Sequence, residues 1–189
     1  MNVIETGLAG VLLLEPRVFG DHRGFFLETF HAACYAEAGI RAPFVQDNWS
    51  RSVRGTLRGL HFQEPQPQGK LVQVVHGSVY DVALDIRRGS PGYGRWVGYE
   101  LSEENKRQLW IPPGFAHGFV VTSEVCDFLY KCTALYRPDA ERSVAWNDPA
   151  LGIPWPIESP LLSPKDAAAP CLAQAPMLPR FDAARPSGG

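Results

Sequence analysis

The chain has 189 residues, a formal net charge of -2 and 45% hydrophobic residues, a composition typical of one soluble globular domain. The near-neutral charge excludes a broad basic surface, so we expect no nucleic-acid partner. No stretch approaches the roughly 18 consecutive apolar residues of a membrane helix, and the N-terminus lacks a signal-peptide pattern. These features predict a cytoplasmic protein without a membrane partner.

Short apolar runs separated by 17 prolines and 18 glycines predict many short β-strands. In chain order, the expected strands cover residues 10–15, 57–63, 71–75, 80–86, 96–101, 108–111, 118–122 and 126–136. The clearest strand is 80–86, in which apolar residues alternate with Asp81 and Asp85. One short helix is expected over 29–38 and a capped turn over 102–106. The pattern favours an all-β jelly-roll barrel with short peripheral helices.

The domain organisation follows from the change in composition near residue 166. Residues 1–166 are expected to form the jelly-roll domain, and residues 167–189 an alanine- and proline-rich tail that is partly disordered. The four cysteines form no C-x-x-C pair and have no zinc-type spacing, so we interpret them as small apolar core residues.

Polar side chains concentrate in segments that a plain β-barrel does not require. These segments are residues 23–28, 46–48, 58–63, 69–70, 113–118, 130–131 and 163–166. His61 lies in an apolar run, where it is either a buried neutral histidine or a base. Strict alternation would place Arg58 and His61 on opposite faces of a strand, but a bulge at Gly59 can redirect one of them.

Four further side chains have both a structural and a chemical interpretation. Tyr130 is either part of an aromatic core stripe or a proton donor, because a phenol with a pKa of about 10 stays protonated at neutral pH. Lys70 is either a solvated strand end or a cation that stabilises an enolate. Arg23 and Arg58, each close to a glycine, form surface salt bridges or bind phosphate oxygens.

The segment Pro112-x-Gly114-x-x-His117 resembles the second half-motif of the cupin superfamily, in which that histidine often binds a metal. The first half-motif should read H-x-H followed by a glutamate, but residues 61–64 read HFQE and lack the second histidine. Two scattered imidazoles are fewer than the three protein ligands of most catalytic metal centres. We therefore expect neither a metal nor another cofactor.

Seven motifs, in this order, resemble the dTDP-4-dehydrorhamnose 3,5-epimerase family, cupin-type enzymes of activated L-rhamnose synthesis. They are GDHRGFFLETF (20–30), FVQDNWS (44–50), LRGLHFQ (57–63), QGKLV (68–72), LSEENKRQLWIPPGFAHGF (101–119), FLYK (128–131) and WNDP (146–149). The resemblance covers residues 2–166 and implies a jelly-roll barrel, a dTDP-sugar substrate and a homodimer with an exchanged N-terminal strand.

The same resemblance implies roles for individual residues. His61 corresponds to the proton acceptor, Asp166 to its carboxylate partner, Tyr130 to the proton donor on the opposite sugar face and Lys70 to the enolate-stabilising lysine. The substrate contacts correspond to Arg23, Phe26, Glu28, Gln46, Asp47, Asn48, Arg58, His117, Tyr136, Glu141 and Lys165.

Three positions depart from the family pattern. Phe62 stands where the family often has tyrosine, Trp49 where it often has histidine, and Pro164 precedes the pair at 165–166 in place of a small or acidic residue. Proline favours an extended backbone at the residue before it, here Ser163, and this affects how Asp166 can approach His61.

The implied reaction inverts carbons C3 and C5 beside a ketone at C4. A base removes each proton to give an enolate, and an acid returns a proton on the opposite face. No electrons leave the substrate, so no redox cofactor is required. Three alternatives stay open: an epimerase that inverts only one centre, a metal-dependent cupin oxygenase and a non-catalytic sugar-binding barrel. The motifs do not determine the final deoxysugar or the glycan that contains it.

Overall fold

A computed structural model describes residues 1–183, which form short β-strands and a few short helices. The strands are β1 (Asn2–Glu5), β2 (Leu12–Glu15), β3 (Val18–Asp21), β4 (Gly24–Leu27), β5 (Gln46–Val53), β6 (Leu57–Gln63), β7 (Lys70–His76), β8 (Ser78–Asp85), β9 (Trp96–Ser102), β10 (Gln108–Ile111), β11 (Phe115–Val121), β12 (Val125–Cys132) and β13 (Glu141–Ser143). The helices are α1 (Ala32–Glu37), α2 (Pro164–Ala167) and a 3-10 helix at Leu172–Gln174. Within residues 1–183, no helix has the length and apolar character needed to cross a membrane.

Two antiparallel sheets form the barrel, and a hairpin lies apart from them. The six-stranded sheet has the order β1-β2-β10-β7-β12-β5, and the five-stranded sheet has the order β13-β6-β11-β8-β9. Strands β3 and β4 pair only with each other among the described strands. The prediction of an all-β jelly roll with short peripheral helices is confirmed.

The strands that alternation predicted are present, some with different bounds. The predicted strand 126–136 ends at Cys132, and the predicted helix 29–38 is limited to Ala32–Glu37, with His31 as its N-cap. Strands β1, β3, β4, β5 and β13 were not predicted. Most of them are exposed or lie at a sheet edge, where a strand carries little of the apolar pattern on which the prediction depends.

The main apolar core lies between the two sheets. It contains Leu13, Val72, Val74, Leu109 and Phe128 from the six-stranded sheet and Val79, Ala83, Leu101, Phe119 and Val121 from the five-stranded sheet. On the predicted two-faced strand β8, Asp81 is buried on the face opposite Val82 and accepts a hydrogen bond from His117. The interior therefore combines an apolar core with a few polar groups that have partners.

The C-terminal segment covers the outer face of the five-stranded sheet. Leu172 and Leu178 pack with Val82, Leu84 and Ile86 in a second buried cluster. Residues 167–183 thus lie against the barrel, anchored also by the bond from the Arg88 amide to the Pro179 carbonyl. The part of the expected tail at 184–189 lies outside the described residues.

Candidate active site

A cavity of about 390 Å³ lies between the two sheets. Strands β6 and β11 supply one wall, and strands β5, β7 and β12 supply the facing wall. Nine of the residues predicted from the sequence line it: Gln46, Asn48, Arg58, His61, Lys70, His117, Tyr130, Tyr136 and Glu141. The fold therefore brings together residues that lie up to 95 positions apart in the chain (from 46 to 141).

His61 and Asp166 form a pair at one wall of the cavity. The His61 Nε2 and Asp166 Oδ1 atoms are 2.5 Å apart, and Asp166 is buried while His61 is half-buried. The Ser163 hydroxyl donates to Asp166 Oδ2 at 2.8 Å and accepts from the Asp166 amide as the N-cap of α2. Burial alone would raise the pKa of Asp166, but the bonds from His61 and Ser163 outweigh it and lower the pKa. The carboxylate thus stays charged at neutral pH.

The departure at Pro164 is accommodated by this arrangement. Pro164 occupies the first turn of α2, where its missing N–H costs no hydrogen bond. Ser163 has the extended backbone that proline favours, with φ -71° and ψ 156°, and its side chain caps the helix. The proline therefore helps to begin the helix that presents Asp166 to His61.

A bulge in β6 explains how Arg58 and His61 both reach the cavity. In the ladder between β6 and β11, His61 pairs with His117 but Arg58 pairs with Phe119, so β6 has an extra residue between the two pairs. Gly59 has a φ of 122°, and a Cβ there would lie 2.6 Å from the Cα of Gly118. The predicted bulge at Gly59 is confirmed, and only glycine fits this backbone.

A second histidine–carboxylate pair is buried beside the first. His117 Nε2 lies 2.9 Å from Asp81 Oδ2 and 3.1 Å from Asp81 Oδ1. Burial lowers the pKa of His117, the charges of Lys70 and His61 lower it further, and the opposing effect of Asp81 is smaller. His117 is therefore neutral at neutral pH, with its Nε2–H donating to Asp81, which leaves Nδ1 able to accept a hydrogen bond.

Tyr130 stands on β12, on the wall that faces His61. Burial raises the pKa of the phenol, the charges of Cys132 and Glu141 raise it further, and Arg58 opposes them. Its ring lies 6.1 Å from that of Phe128, which stacks on Phe119 at 4.1 Å. Tyr130 is thus a protonated donor whose ring lies next to the aromatic pair Phe128 and Phe119.

Lys70 points a cation into the same space. Within residues 1–183, its ammonium has no hydrogen-bond acceptor, although the charges of Glu141 and Asp81 act on it. Burial lowers its pKa, and Cys132, Glu141 and Asp81 partly oppose that effect. The ammonium is thus available to a negatively charged atom of a bound molecule.

Arg58 is held by a residue that the sequence did not single out. Its Nε and Nη2 atoms donate to the hydroxyl of the buried Ser52 at 3.1 and 3.0 Å. Among the described residues, no carboxylate forms an ion pair with Arg58. Of the two interpretations offered by the sequence, the surface salt bridge is therefore not formed by these residues. The guanidinium is oriented towards the cavity without being neutralised.

Polar residues at the cavity rim form a connected group. The Tyr136 hydroxyl donates to Glu141 Oε2 at 2.7 Å, and Lys165 forms an ion pair with the same carboxylate. The hydrogen bond to Glu141 is the main reason why the pKa of Tyr136 is raised to about 12. On β5, the Gln46 side chain donates to Asn48 at 2.9 Å. These groups offer both donors and acceptors to a polar ligand.

Four predicted contacts do not reach this cavity. Asp47 points to the other face of β5 and pairs with Lys131 at 2.9 Å, because side chains of a strand alternate between its faces. Asp47 therefore lies outside the cavity, contrary to its predicted role as a substrate contact. Arg23, Phe26 and Glu28 lie on or after the β3–β4 hairpin; Arg23 pairs with Asp21, and Phe26 is 65% exposed.

Sequence reasoning missed several cavity residues that alternation could have found. Ser50 follows Gln46 and Asn48 at intervals of two on β5, and Phe128 and Cys132 flank Tyr130 in the same way. Gln63 lies two residues after His61 and also lines the cavity. The sequence predicted no site role for these residues, because their place in the cavity depends on the residues beside them and not on their own chemistry.

Within residues 1–183, no group of three or more histidine, cysteine, aspartate or glutamate side chains is arranged to hold a metal ion. The two cavity imidazoles each use Nε2 for a separate carboxylate, His61 for Asp166 and His117 for Asp81. Metal independence stays a prediction.

The comparisons with known proteins agree on one family. A family model described as dTDP-4-dehydrorhamnose 3,5-epimerase matches residues 5–174. The chain is 57% identical to a dTDP-4-dehydrorhamnose 3,5-epimerase of Salmonella typhimurium, over 93% of this chain and 97% of that protein. It is 41% identical to a dTDP-4-dehydrorhamnose 3-epimerase of Streptomyces niveus, over 93% and 86% of the two chains.

One solved structure shows the same fold with a ligand. It is the dTDP-6-deoxy-D-glucose-3,5-epimerase RmlC of Legionella pneumophila in complex with dTDP-4-keto-L-rhamnose. The TM-score is 0.94 at 55% sequence identity, and the match covers 96% of this chain and 99% of the other.

Proposed function

The chain belongs to the dTDP-4-dehydrorhamnose 3,5-epimerase family, and from this premise we propose that it converts dTDP-4-dehydro-6-deoxy-D-glucose to dTDP-4-dehydro-L-rhamnose, in dTDP-L-rhamnose biosynthesis. The observation that carries the proposal is the placement of His61 and Tyr130 on facing walls of one cavity. A keto sugar between those walls presents one face to a base and the other face to an acid. Inversion at a carbon beside the ketone requires that arrangement.

His61 acts as the base. A neutral imidazole accepts a proton on the ring nitrogen that carries none, and the His61 Nε2 contact with Asp166 leaves Nδ1 for that role. Asp166, kept ionised by its partners, holds the ring in place and stabilises the imidazolium that forms. The 2.5 Å contact between the two side chains supports this pairing.

Tyr130 acts as the acid. Its raised pKa keeps the phenol protonated in the resting enzyme, so that it can donate to the enolate carbon from the face opposite His61. Inversion of one carbon leaves His61 as an imidazolium and Tyr130 as a phenolate. Proton exchange with water returns both groups to their resting states, after which the second carbon is inverted in the same way and the net proton count is unchanged.

Lys70 stabilises the enolate oxygen. Removal of a proton beside C4 moves negative charge onto the carbonyl oxygen. The half-buried Lys70 ammonium, which has no hydrogen-bond acceptor among residues 1–183, is placed to interact with such a charge. The neutral His117, oriented by Asp81, supplies a further polar contact for the sugar. No residue has to exchange electrons with the substrate, so we propose a reaction without cofactor.

The diphosphate and nucleoside occupy the rim. Arg58, which Ser52 holds and which forms no ion pair with a carboxylate of residues 1–183, binds phosphate oxygens. Lys165, Gln46, Asn48 and the pair of Tyr136 with Glu141 complete the contacts to the nucleotide and sugar.

We further propose a homodimer in which part of the N-terminal region reaches the partner subunit. We propose that the exchanged N-terminal strand predicted from the sequence belongs to the β3–β4 hairpin, because β1 pairs with β2 of its own chain whereas β3 and β4 pair only with each other among the described strands. The hairpin exposes Phe19, Phe25 and Phe26, an apolar surface that favours burial against another protein. In such a dimer, Arg23, Phe26 and Glu28 complete the site of the partner subunit. A cytoplasmic location is proposed as well, in keeping with four cysteines that form no disulfide.

The single-centre epimerase is the second function to test. The chain is similar to both kinds of enzyme, but the identity to the 3,5-epimerase is 57% and that to the 3-epimerase is 41%. The higher value favours inversion at both carbons.

Proton NMR of the 4-keto sugar nucleotide in heavy water, with purified enzyme, tests the proposal. We expect deuterium at both C3 and C5 and the appearance of the L-rhamno configuration. Exchange and inversion at one carbon alone would assign the single-centre reaction, and no exchange at either carbon would reject the epimerase proposal. Full activity after treatment with a strong chelator is expected, and its loss would contradict the cofactor-free reaction.

A further inference from the structure

Gln63 is a cavity residue of β6 for which the reaction described above has no use. It lies two residues beyond His61 on the same strand, it is 4% exposed and it lines the cavity. We propose that Gln63 is a positioning residue that holds Tyr136 and Glu141 in place for nucleotide binding, a role that rests on the proposed function of the site.

The amide of Gln63 is bound to three backbone groups. Its Nε2 donates to the Gln66 carbonyl at 2.7 Å and to the Leu135 carbonyl at 3.2 Å, and its Oε1 accepts from the Arg137 amide at 2.8 Å. Both donors are satisfied by carbonyls and the acceptor by an N–H, so the orientation of the amide is determined by its partners. A buried glutamine with complete hydrogen bonding holds its neighbours firmly.

Two of these backbone groups flank Tyr136. The Leu135 carbonyl precedes it and the Arg137 amide follows it, while the Tyr136 amide itself donates to Gln46 Oε1 at 2.8 Å. The backbone of three consecutive residues is thus held by two glutamine side chains. The ring of Tyr136 is 48% exposed, so side-chain packing alone cannot set its position.

Glu141 is tied to Gln63 through the sheet. The two residues are direct partners in the ladder between β6 and β13, and Glu141 accepts the hydroxyl of Tyr136 at 2.7 Å. Gln63 therefore contacts the backbone on both sides of the tyrosine and lies opposite the carboxylate to which that tyrosine bonds. The strand that carries the base also positions the rim.

Gln63→Met tests the role because methionine has a similar shape and none of the three hydrogen bonds. We expect dTDP to bind about tenfold more weakly, since more than one hydrogen bond to the rim is lost. The KM of the 4-keto sugar nucleotide should rise by a similar factor, whereas kcat at saturation should stay within about threefold of the wild type. Amide hydrogen exchange at Arg137 should become faster in the ligand-free protein. Gln174→Glu changes an exposed glutamine outside the cavity and is the control, which should bind dTDP as the wild type does.

Gln63→Glu gives a pH-dependent test. The variant keeps the acceptor for Arg137 but turns a carboxylate oxygen towards two carbonyls, and protonation of that carboxyl restores one donor. The ratio of its dTDP dissociation constant to that of the wild type should therefore fall as pH is lowered from about 8 to about 5, through the range in which a carboxyl near carbonyl oxygens titrates. A loss caused only by general destabilisation would not improve towards acid pH.

The outcomes separate this role from the epimerase proposal. Unchanged dTDP affinity and unchanged Arg137 exchange in Gln63→Met would overturn it, as would a loss confined to kcat. Failure of both variants to fold would also contradict it, because the residue would then serve folding rather than the rim. If the wild type binds dTDP but neither exchanges nor inverts the sugar, the epimerase proposal fails while the binding and exchange comparisons still test Gln63.

Discussion

The cavity and the β3–β4 hairpin carry predicted substrate contacts in two different ways. In the cavity, most of the groups stand on strands of the two barrel sheets, and several have a partner that fixes them, as Asp166 fixes His61 and Ser52 fixes Arg58. On the hairpin, Arg23 is 78% exposed and bonds only to Asp21 of the same turn, according to the described contacts. The groups proposed for proton transfer thus reside on the barrel, and the predicted contacts that have no fixed place in the cavity reside on the hairpin.

The largest effect is expected from removal of the base. His61→Ala should lower deuterium incorporation at C3 and C5 by roughly 10²- to 10⁴-fold, the usual contribution of a positioned acid–base group. Binding of dTDP should change little, because the rim is intact. His76→Ala removes an exposed histidine that pairs with Glu103 and serves as the control. Normal exchange in His61→Ala, measured by proton NMR, would assign the base elsewhere.

The facing wall should give a different result. Tyr130→Phe should permit proton removal by His61 but slow inversion by roughly 10²-fold or more, because the donor on the opposite face is lost. Exchange and inversion are followed separately in heavy water. Tyr93→Phe, at an exposed tyrosine outside the cavity, is expected to behave as the wild type. Inversion at the normal rate in Tyr130→Phe would exclude Tyr130 as the acid.

The hairpin is tested by complementation between subunits. Arg23→Ala should reduce activity at low substrate about tenfold or more if a charged contact to the ligand is lost, and Arg54→Ala is the surface control. A mixture of the Arg23→Ala and His61→Ala variants should recover about a quarter of wild-type activity. Random pairing of subunits makes about half of the dimers mixed, and each mixed dimer has one intact site of two. Activity after mixing that equals only the sum of the two variants would show that each site uses its own hairpin.

The smallest effect is expected from Ser52, whose hydroxyl accepts two hydrogen bonds from Arg58. Ser52→Ala should weaken dTDP binding about three- to tenfold, because the guanidinium loses the hydroxyl that orients it. Thymidine, which has no phosphate, should bind as before, and Ser52→Thr should restore the affinity. Calorimetry with the two ligands separates these cases. An equal loss for thymidine and dTDP would place the effect outside the diphosphate contact.

The sequence by itself determined the class of fold and most of the chemistry. Short apolar runs predicted strands such as β6 and β10 with the bounds that the structure has, because these strands of the barrel wall are buried along most of their length. The motifs predicted a base, an acid and an enolate-stabilising lysine through their resemblance to a known family, since those residue types have few substitutes for proton transfer and charge stabilisation. The exposed hairpin strands gave no such pattern and were missed.

Only the tertiary structure decided which of these groups meet. His61 and Asp166 are 105 positions apart, and α2 and its Ser163 cap bring them together. The bulge at Gly59 lets Arg58 and His61 both face the cavity, whereas Asp47 lies on the face of β5 that points away from the cavity. Gln63 gained a role only from carbonyls and an amide of a distant loop. The sequence pattern along a strand indicates which of its residues are buried. It does not indicate their hydrogen-bond partners, because these lie in other parts of the chain and are brought near only by folding.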